Sequence, residues 1–206
     1  MQVTQRKKPS QRRSAVTVDV VLEAAARILE ERGMDGFNTN AVAERAGVSI
    51  GSLYQYFPRK EAVTAALIVR SHQRIADCLR AVLAETAGRE LDAALHFLVE
   101  RLIETQSAAR GLNRILESEE ERLPRIPELL QLEAEIQELN EELLGRYVDP
   151  SRCPRAALRT ASLDVISIVR ALLDAALFGG GAEPDLHARV LRTVRGYLAP
   201  LLPAPM

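Results

Sequence analysis

Between Thr39 and Lys60 the chain collects side chains suited to hydrogen bonding with a polyanion: Thr39, Asn40, Ser49, Ser52, Tyr54, Gln55, Tyr56, Arg59 and Lys60, interrupted by Gly47, Gly51 and Pro58. Hydroxyls and cations of this kind donate to phosphate oxygens. Asn and Gln also match the donor–acceptor edges of bases in a major groove. Other chemistries find less support. His72, His96 and His187 are far apart and lack metal-ligand spacing with carboxylates or cysteines, so neither a metal nor a cofactor is expected. No Ser/His/Asp or Cys/His grouping assembles, and enzyme activity is not expected. Gly179-Gly180-Gly181 follows a helical pattern instead of opening one, which suits a hinge or a helix end and not a phosphate cradle. Cys78 and Cys153, the two cysteines, do not form a disulfide framework.

The elements that must position these residues read as helices throughout. Gly and Pro separate the periodic segments, and no stretch alternates long enough for a strand. Thr17 is placed to cap a first helix to Arg32, with Val21, Ala25, Ile28 and Leu29 on one face and Gly33 as its stop. Thr39 is placed to cap a short helix to Ala46 with Val42 and Ala43 inward. Gly47 breaks that helix, and Ser49 caps a third from Ile50 to about Tyr56. A fourth runs from near Lys60 to about Ala87. Two small helices joined at Ala46-Gly47-Val48-Ser49 are the framework of a helix-turn-helix; the same pattern also fits a plain helical hairpin with solvated polar residues. Further helices are expected at 90–109, about 111–122, about 127–147, 155–178 and about 184–201. The 155–178 segment is apolar nearly all round, with only Asp164, Arg170 and Asp174 charged after Arg159.

Composition agrees with a globular all-α chain. Of 206 residues, 47% are hydrophobic and 27% charged. No apolar run approaches the roughly 18 residues of a membrane span, and the basic N-terminus is not followed by a signal-type apolar segment, which suggests a cytoplasmic protein. The net charge of −1 hides a division. Residues 1–60 hold 10 basic and 6 acidic residues, net +4, and the remainder carries −5. Arg6, Lys7, Lys8, Arg12 and Arg13 precede the first acid, Asp19, so residues 1–16 form either a flexible arm that lies along phosphates or a solvated tail. The Glu119–Glu121 run fits a solvated helix end; attracting a cationic effector is its alternative role.

The stretch TNAVAERAGVSIGSLYQYFPRK, Thr39 to Lys60, resembles the signature of TetR-type regulators. The likeness rests on Thr39, Val42-Ala43, Ala46-Gly47-Val48-Ser49, Gly51, Leu53 through Phe57, and Lys60. It extends back to Thr17 and Gly33, over about 50 residues. The resemblance implies an N-terminal three-helix helix-turn-helix domain at 17–62 and a C-terminal helical bundle at 63–206 for ligand binding and dimerisation. It implies that Thr39 caps the second helix and touches a phosphate, that Asn40 meets a base edge, and that Ser49, Ile50, Gly51, Ser52 and Gln55 line the recognition face. Gln55 is then the first candidate base reader and Ile50 a thymine-methyl contact. Tyr54 and Tyr56 hold phosphates or support packing, with Tyr56 favoured for phosphate. Lys60 contacts the backbone, while Leu53 and Phe57 are structural. Arg59 departs from the small polar residue common at its position, which leaves the fourth helix less well capped and offers another phosphate contact.

The same resemblance implies a homodimer through helices 155–178 and 184–201, reading a palindromic operator in double-stranded DNA. It also implies a small-molecule effector held in the C-terminal bundle, where His96, Gln106, Asn113 and Arg114 are candidate liners. The function implied is a ligand-released transcriptional repressor. A TetR-type activator, or a helical interaction protein without sequence-specific DNA binding, are the alternatives.

Overall fold

The computed structural model describes residues 12–178 and 185–203. Among them are nine α-helices and no strand: α1 (Arg12–Arg32), α2 (Thr39–Ala46), α3 (Ile50–Tyr56), α4 (Lys60–Glu85), α5 (Leu91–Ser107), α6 (Arg110–Glu120), α7 (Pro127–Gly145), α8 (Arg155–Phe178) and α9 (Leu186–Leu198). A 3-10 turn, Ala199–Leu201, follows α9. The chain is all-α, as its periodicity indicates. None of these helices is long and apolar enough to cross a membrane.

The helices form two compact units. The first holds residues up to 72 together with 109–130. Its core is built on the inward stripe of α1 (Val21, Leu22, Ala25, Ile28, Leu29), Val42 and Ala43 of α2, and Leu53 of α3. Phe57, Val63, Leu67 and Ile68 join it, as do Leu112 and Leu116 of α6. Val21, Ala25, Leu29, Val42, Leu53 and Phe57 have no measurable exposure. The first unit thus draws α6 and the start of α7 to the short helices, whereas the sequence alone suggests a division near residue 62.

The second unit, 73–108 and 131 onward, has two apolar clusters. One joins Leu95 and Val99 of α5 to Val165, Val169 and Leu173 of α8 and Val190, Val194 and Leu198 of α9. The other joins Cys78, Leu79, Val82 and Leu83 of α4 to Leu98 and Leu143. One polar node is buried with them: Asn140 of α7 donates through Nδ2 to the Ser162 carbonyl at 3.0 Å and to its Oγ at 2.9 Å. Asn140 is 3% exposed and Ser162 fully covered, so each polar atom depends on the other.

Two helix starts differ from the sequence reading. Helix α1 begins at Arg12, five residues before Thr17, because nothing between Pro9 and Thr17 breaks a helix. Residues 12–16 of the expected flexible arm are therefore helical, and residues 1–11 lie outside the described residues. Helix α2 is capped by Asn38, whose Oδ1 accepts from the Ala41 amide at 2.9 Å; Thr39 is the first helical residue. Of two adjacent residues that can cap, the one with extended backbone does so: Asn38 has φ −148 and ψ 161. The Gly179-Gly181 hinge lies outside the described residues.

Candidate nucleic-acid interface

The turn between α2 and α3 is held by backbone geometry. Gly47 sits at φ 65, ψ 28, the left-handed region that terminates helices. Its amide donates to the Glu44 carbonyl at 3.1 Å, and the Val48 amide donates to Ala43 at 3.0 Å. Ser49 then starts α3: its Oγ accepts from the Ser52 amide at 3.1 Å and lies 2.8 Å from Ser52 Oγ. The reading of Gly47 as breaker and Ser49 as cap is reproduced.

Seven residues make two turns, and helical spacing divides α3 into two faces. Leu53 and Tyr56 point into the core. Ile50, Gly51, Tyr54 and Gln55 lie on the opposite side and are exposed, Ile50 by 36% and Tyr54 by 43%. Asn40, Ser49 and Lys60 are exposed as well, while Thr39, Ser52 and Arg59 are half-buried. The expected groove-facing set is therefore presented on one small helix and its flanks.

The two tyrosines differ in burial. Tyr56, favoured for phosphate, is 9% exposed and belongs to the core, because position 56 falls on the same helical face as Leu53. Tyr54 is the presented one. Its hydroxyl lies 3.2 Å from Thr39 Oγ1, so the first residue of α2 and the middle of α3 share a hydrogen bond on the surface. Sequence reasoning missed this pairing, although both residues were singled out separately.

A second brace was also missed. Arg45 of α2 donates to Glu31 of α1 through both terminal nitrogens, at 2.5 and 2.6 Å. The fork-to-fork geometry fixes orientation as well as attraction. The hydrogen bond from Arg45 holds the Glu31 carboxyl below its usual range. Fourteen residues separate the partners, and neither lies on a helical spacing that would announce the pair.

The candidate effector liners fall in both units, His96 and Gln106 in the second, Asn113 and Arg114 in the first. His96 is exposed on α5 and lines an open groove of about 650 Å³ with Leu95, Leu191, Arg192 and Arg195 of the same unit. Asp92 at its edge pairs with Arg195. His187 donates from Nε2 to the His96 carbonyl at 3.3 Å. Gln106, Asn113 and Arg114 are absent from that groove. Asn113 is instead 5% exposed and accepts from Ser71 Oγ at 3.4 Å, within the first unit, and Arg114 is exposed. Cys78 and Cys153 are free thiols, and burial pushes both above the usual thiol range, which makes them poor nucleophiles.

Two short helices hinged at a left-handed glycine, the second presenting a polar face from a closed apolar core, define a helix-turn-helix protein. Residues 21–67 match the family model of bacterial regulatory proteins, tetR family. An uncharacterized HTH-type transcriptional regulator of Mycobacterium tuberculosis is 35% identical over 66 residues, 32% of this chain and 33% of that one. The transcriptional repressor KstR of Mycolicibacterium smegmatis is 37% identical over 83 residues, 40% of this chain and 39% of that protein. These matches thus span little more than a third of either relative. A TetR-family transcriptional regulator from Streptomyces coelicolor superposes with a TM-score of 0.66 at 26% identity, over 90% of this chain and 97% of that structure. Residues 21–67 are thus similar to the tetR family of bacterial regulatory proteins.

Proposed function

We propose that the chain is a transcriptional regulator that inserts α3 into the major groove of a palindromic operator, as a two-fold dimer. The observation that carries this reading is the exposed face of α3: Ile50, Gly51, Tyr54 and Gln55 look outward while Leu53, Tyr56 and Phe57 anchor the helix. Gln55 and Asn40 have the amide groups that pair bidentately with adenine, and Ile50 can meet a thymine methyl. Thr39, Tyr54 and Lys60 hold phosphates, with Ser49, Ser52 and Arg59 beside them.

One short helix reads only a few base pairs, so two copies and two half-sites follow. Helix α8 supports the dimer: it exposes Ala156, Thr160, Leu163, Ser167 and Ala171 along one face, with Leu163 49% exposed. Such a stripe of small and apolar residues suits another copy of α8 and α9. Repression is inferred from the likeness to the repressor KstR. Release by a small molecule bound in the second unit completes the proposal as a shift between DNA-competent and incompetent states.

Selection of bound duplexes from a random library tests it. Recovery of a palindrome supports both reading element and symmetry, and sequence-independent recovery refutes them. Lys60→Ala is expected to weaken binding uniformly across sequences and to reduce the log–log salt slope by about 0.9. Gln55→Ala is expected to relax the preference at one base pair per half-site, at a cost of about 1–3 kcal/mol. Unaltered affinity in both variants would mean that α3 does not meet DNA.

A further inference from the structure

We propose that His72 and Glu120 form a binding site for a divalent transition-metal ion of the zinc type, bridging α4 and α6 inside the first unit. The two residues stand 48 positions apart, so spacing conceals them. The fold sets His72 Nε2 at 3.6 Å from Glu120 Oε1. The other ring nitrogen, Nδ1, lies 3.1 Å from the Ile68 carbonyl. A carbonyl can only accept, so Nδ1 carries a proton, which leaves Nε2 as the ring atom that faces the Glu120 carboxylate. A metal cation held between Nε2 and Oε1 would bond both groups.

The geometry suits a metal closely. Ligating histidines are held by an outer N–H donated to a carbonyl or carboxylate, as Ile68 does here. Zinc-to-ligand distances of about 2.0–2.1 Å in tetrahedral geometry set two ligand atoms about 3.3 Å apart. Closing 3.6 Å to that value takes a few tenths of an ångström. The side chains keep 15% and 23% exposure, which leaves an edge for water ligands to complete the coordination. One residue earlier, Ser71 donates to Asn113, so the two helices are already in register beside the pair.

The proposal is independent of DNA reading, because its test follows metal bound to the free protein. Metal-free full-length protein is titrated with Co²⁺ and followed by visible absorption. The expectation is one site that Zn²⁺ displaces. His72→Gln and Glu120→Gln, each shown folded by circular dichroism, should weaken it at least about tenfold. The double variant His96→Ala/His187→Ala should bind like the parent. Three results each overturn the assignment: no site in the parent, an unchanged titration in the His72 and Glu120 variants, or a near-ultraviolet thiolate-to-cobalt band that reveals Cys78 or Cys153 as the ligand.

Discussion

Two glycines, Gly47 three residues before α3 and Gly51 its second residue, should respond to alanine in opposite ways. Gly47 holds φ 65, ψ 28, and a Cβ built there meets nothing within 4 Å. Steric crowding is therefore absent, and the whole cost of Gly47→Ala is the left-handed backbone, about 1–2 kcal/mol for an L-residue. Because about 1.4 kcal/mol is tenfold in an equilibrium constant, the opened turn should become roughly tenfold more populated. Gly51 lies inside α3 without a positive φ, and its Cβ would meet only Ser49 Oγ at 3.9 Å, an ordinary contact. Gly51→Ala should leave stability unchanged or raise it by up to about 1 kcal/mol. Urea unfolding followed by circular dichroism, with amide exchange in α2 and α3 to resolve the first unit, measures both. On DNA the order reverses. The new methyl of Gly51→Ala stands on the exposed face of α3, where overpacking against a duplex costs about 1–3 kcal/mol. A variant that folds at least as well as the parent and binds DNA less tightly separates reading from folding. Equal stability loss in both variants would refute the account of the turn, and undiminished DNA affinity in Gly51→Ala would refute the assigned face.

Tyr56→Ala is expected to remove about 3 kcal/mol or more from the first unit, as for other buried aromatics, and to abolish DNA binding through unfolding; an unchanged melting temperature would show that Tyr56 is not a core residue. Asn38→Ala should cost about 1 kcal/mol by removing the cap of α2, whereas Thr39→Ala should cost less stability and more DNA affinity; the reverse order in denaturant titrations contradicts the observed cap. Asn140→Ala should cost about 1–3 kcal/mol, since it leaves the Ser162 hydroxyl and carbonyl buried without their donor, and calorimetry of the second unit reads it. Tyr197 donates to Asp164, and that bond pushes its hydroxyl up to about 12. Above pH 10 the unfolded chain releases this proton while the folded one retains it, so stability falls as pH rises from 10 toward 12. Tyr197→Phe should flatten that fall, and an identical profile in the variant counts against the Tyr197–Asp164 bond.

How much of this was legible follows from the range of the interactions. Helix α3 was placed to the residue because Ser49, Gly47 and Pro58 act on their own neighbours, and α8 likewise runs from Arg155 to Phe178 as its apolar length indicates. The difference in burial between Tyr54 and Tyr56 lies within reach of helical periodicity. Two residues along a helix is 200°, so adjacent-looking tyrosines must face opposite ways, and Leu53 already marks which way is inward. The cap on α2 was misplaced by one residue because Asn38 and Thr39 are both competent, and only the backbone angle of Asn38 decides between them.

What stayed illegible depends on residues distant in sequence. Glu31 with Arg45, Asn140 with Ser162 and His72 with Glu120 each join two helices, and no single-helix pattern predicts which faces will meet. The candidate effector residues have no such local support either. His96, Gln106, Asn113 and Arg114 were chosen for polarity along their own helices, and polarity does not distinguish a wall of a cavity from a solvated surface. The outward face of α3 escaped this difficulty because its buried anchors, Leu53 and Phe57, lie within or beside the segment they anchor. A surface element whose core contacts are encoded a few residues away can be read from sequence, and a site assembled from several helices cannot. That asymmetry is why residues on the outward face of α3 can be tested against their own neighbours, while His72 and Glu120 need a variant on each of two helices.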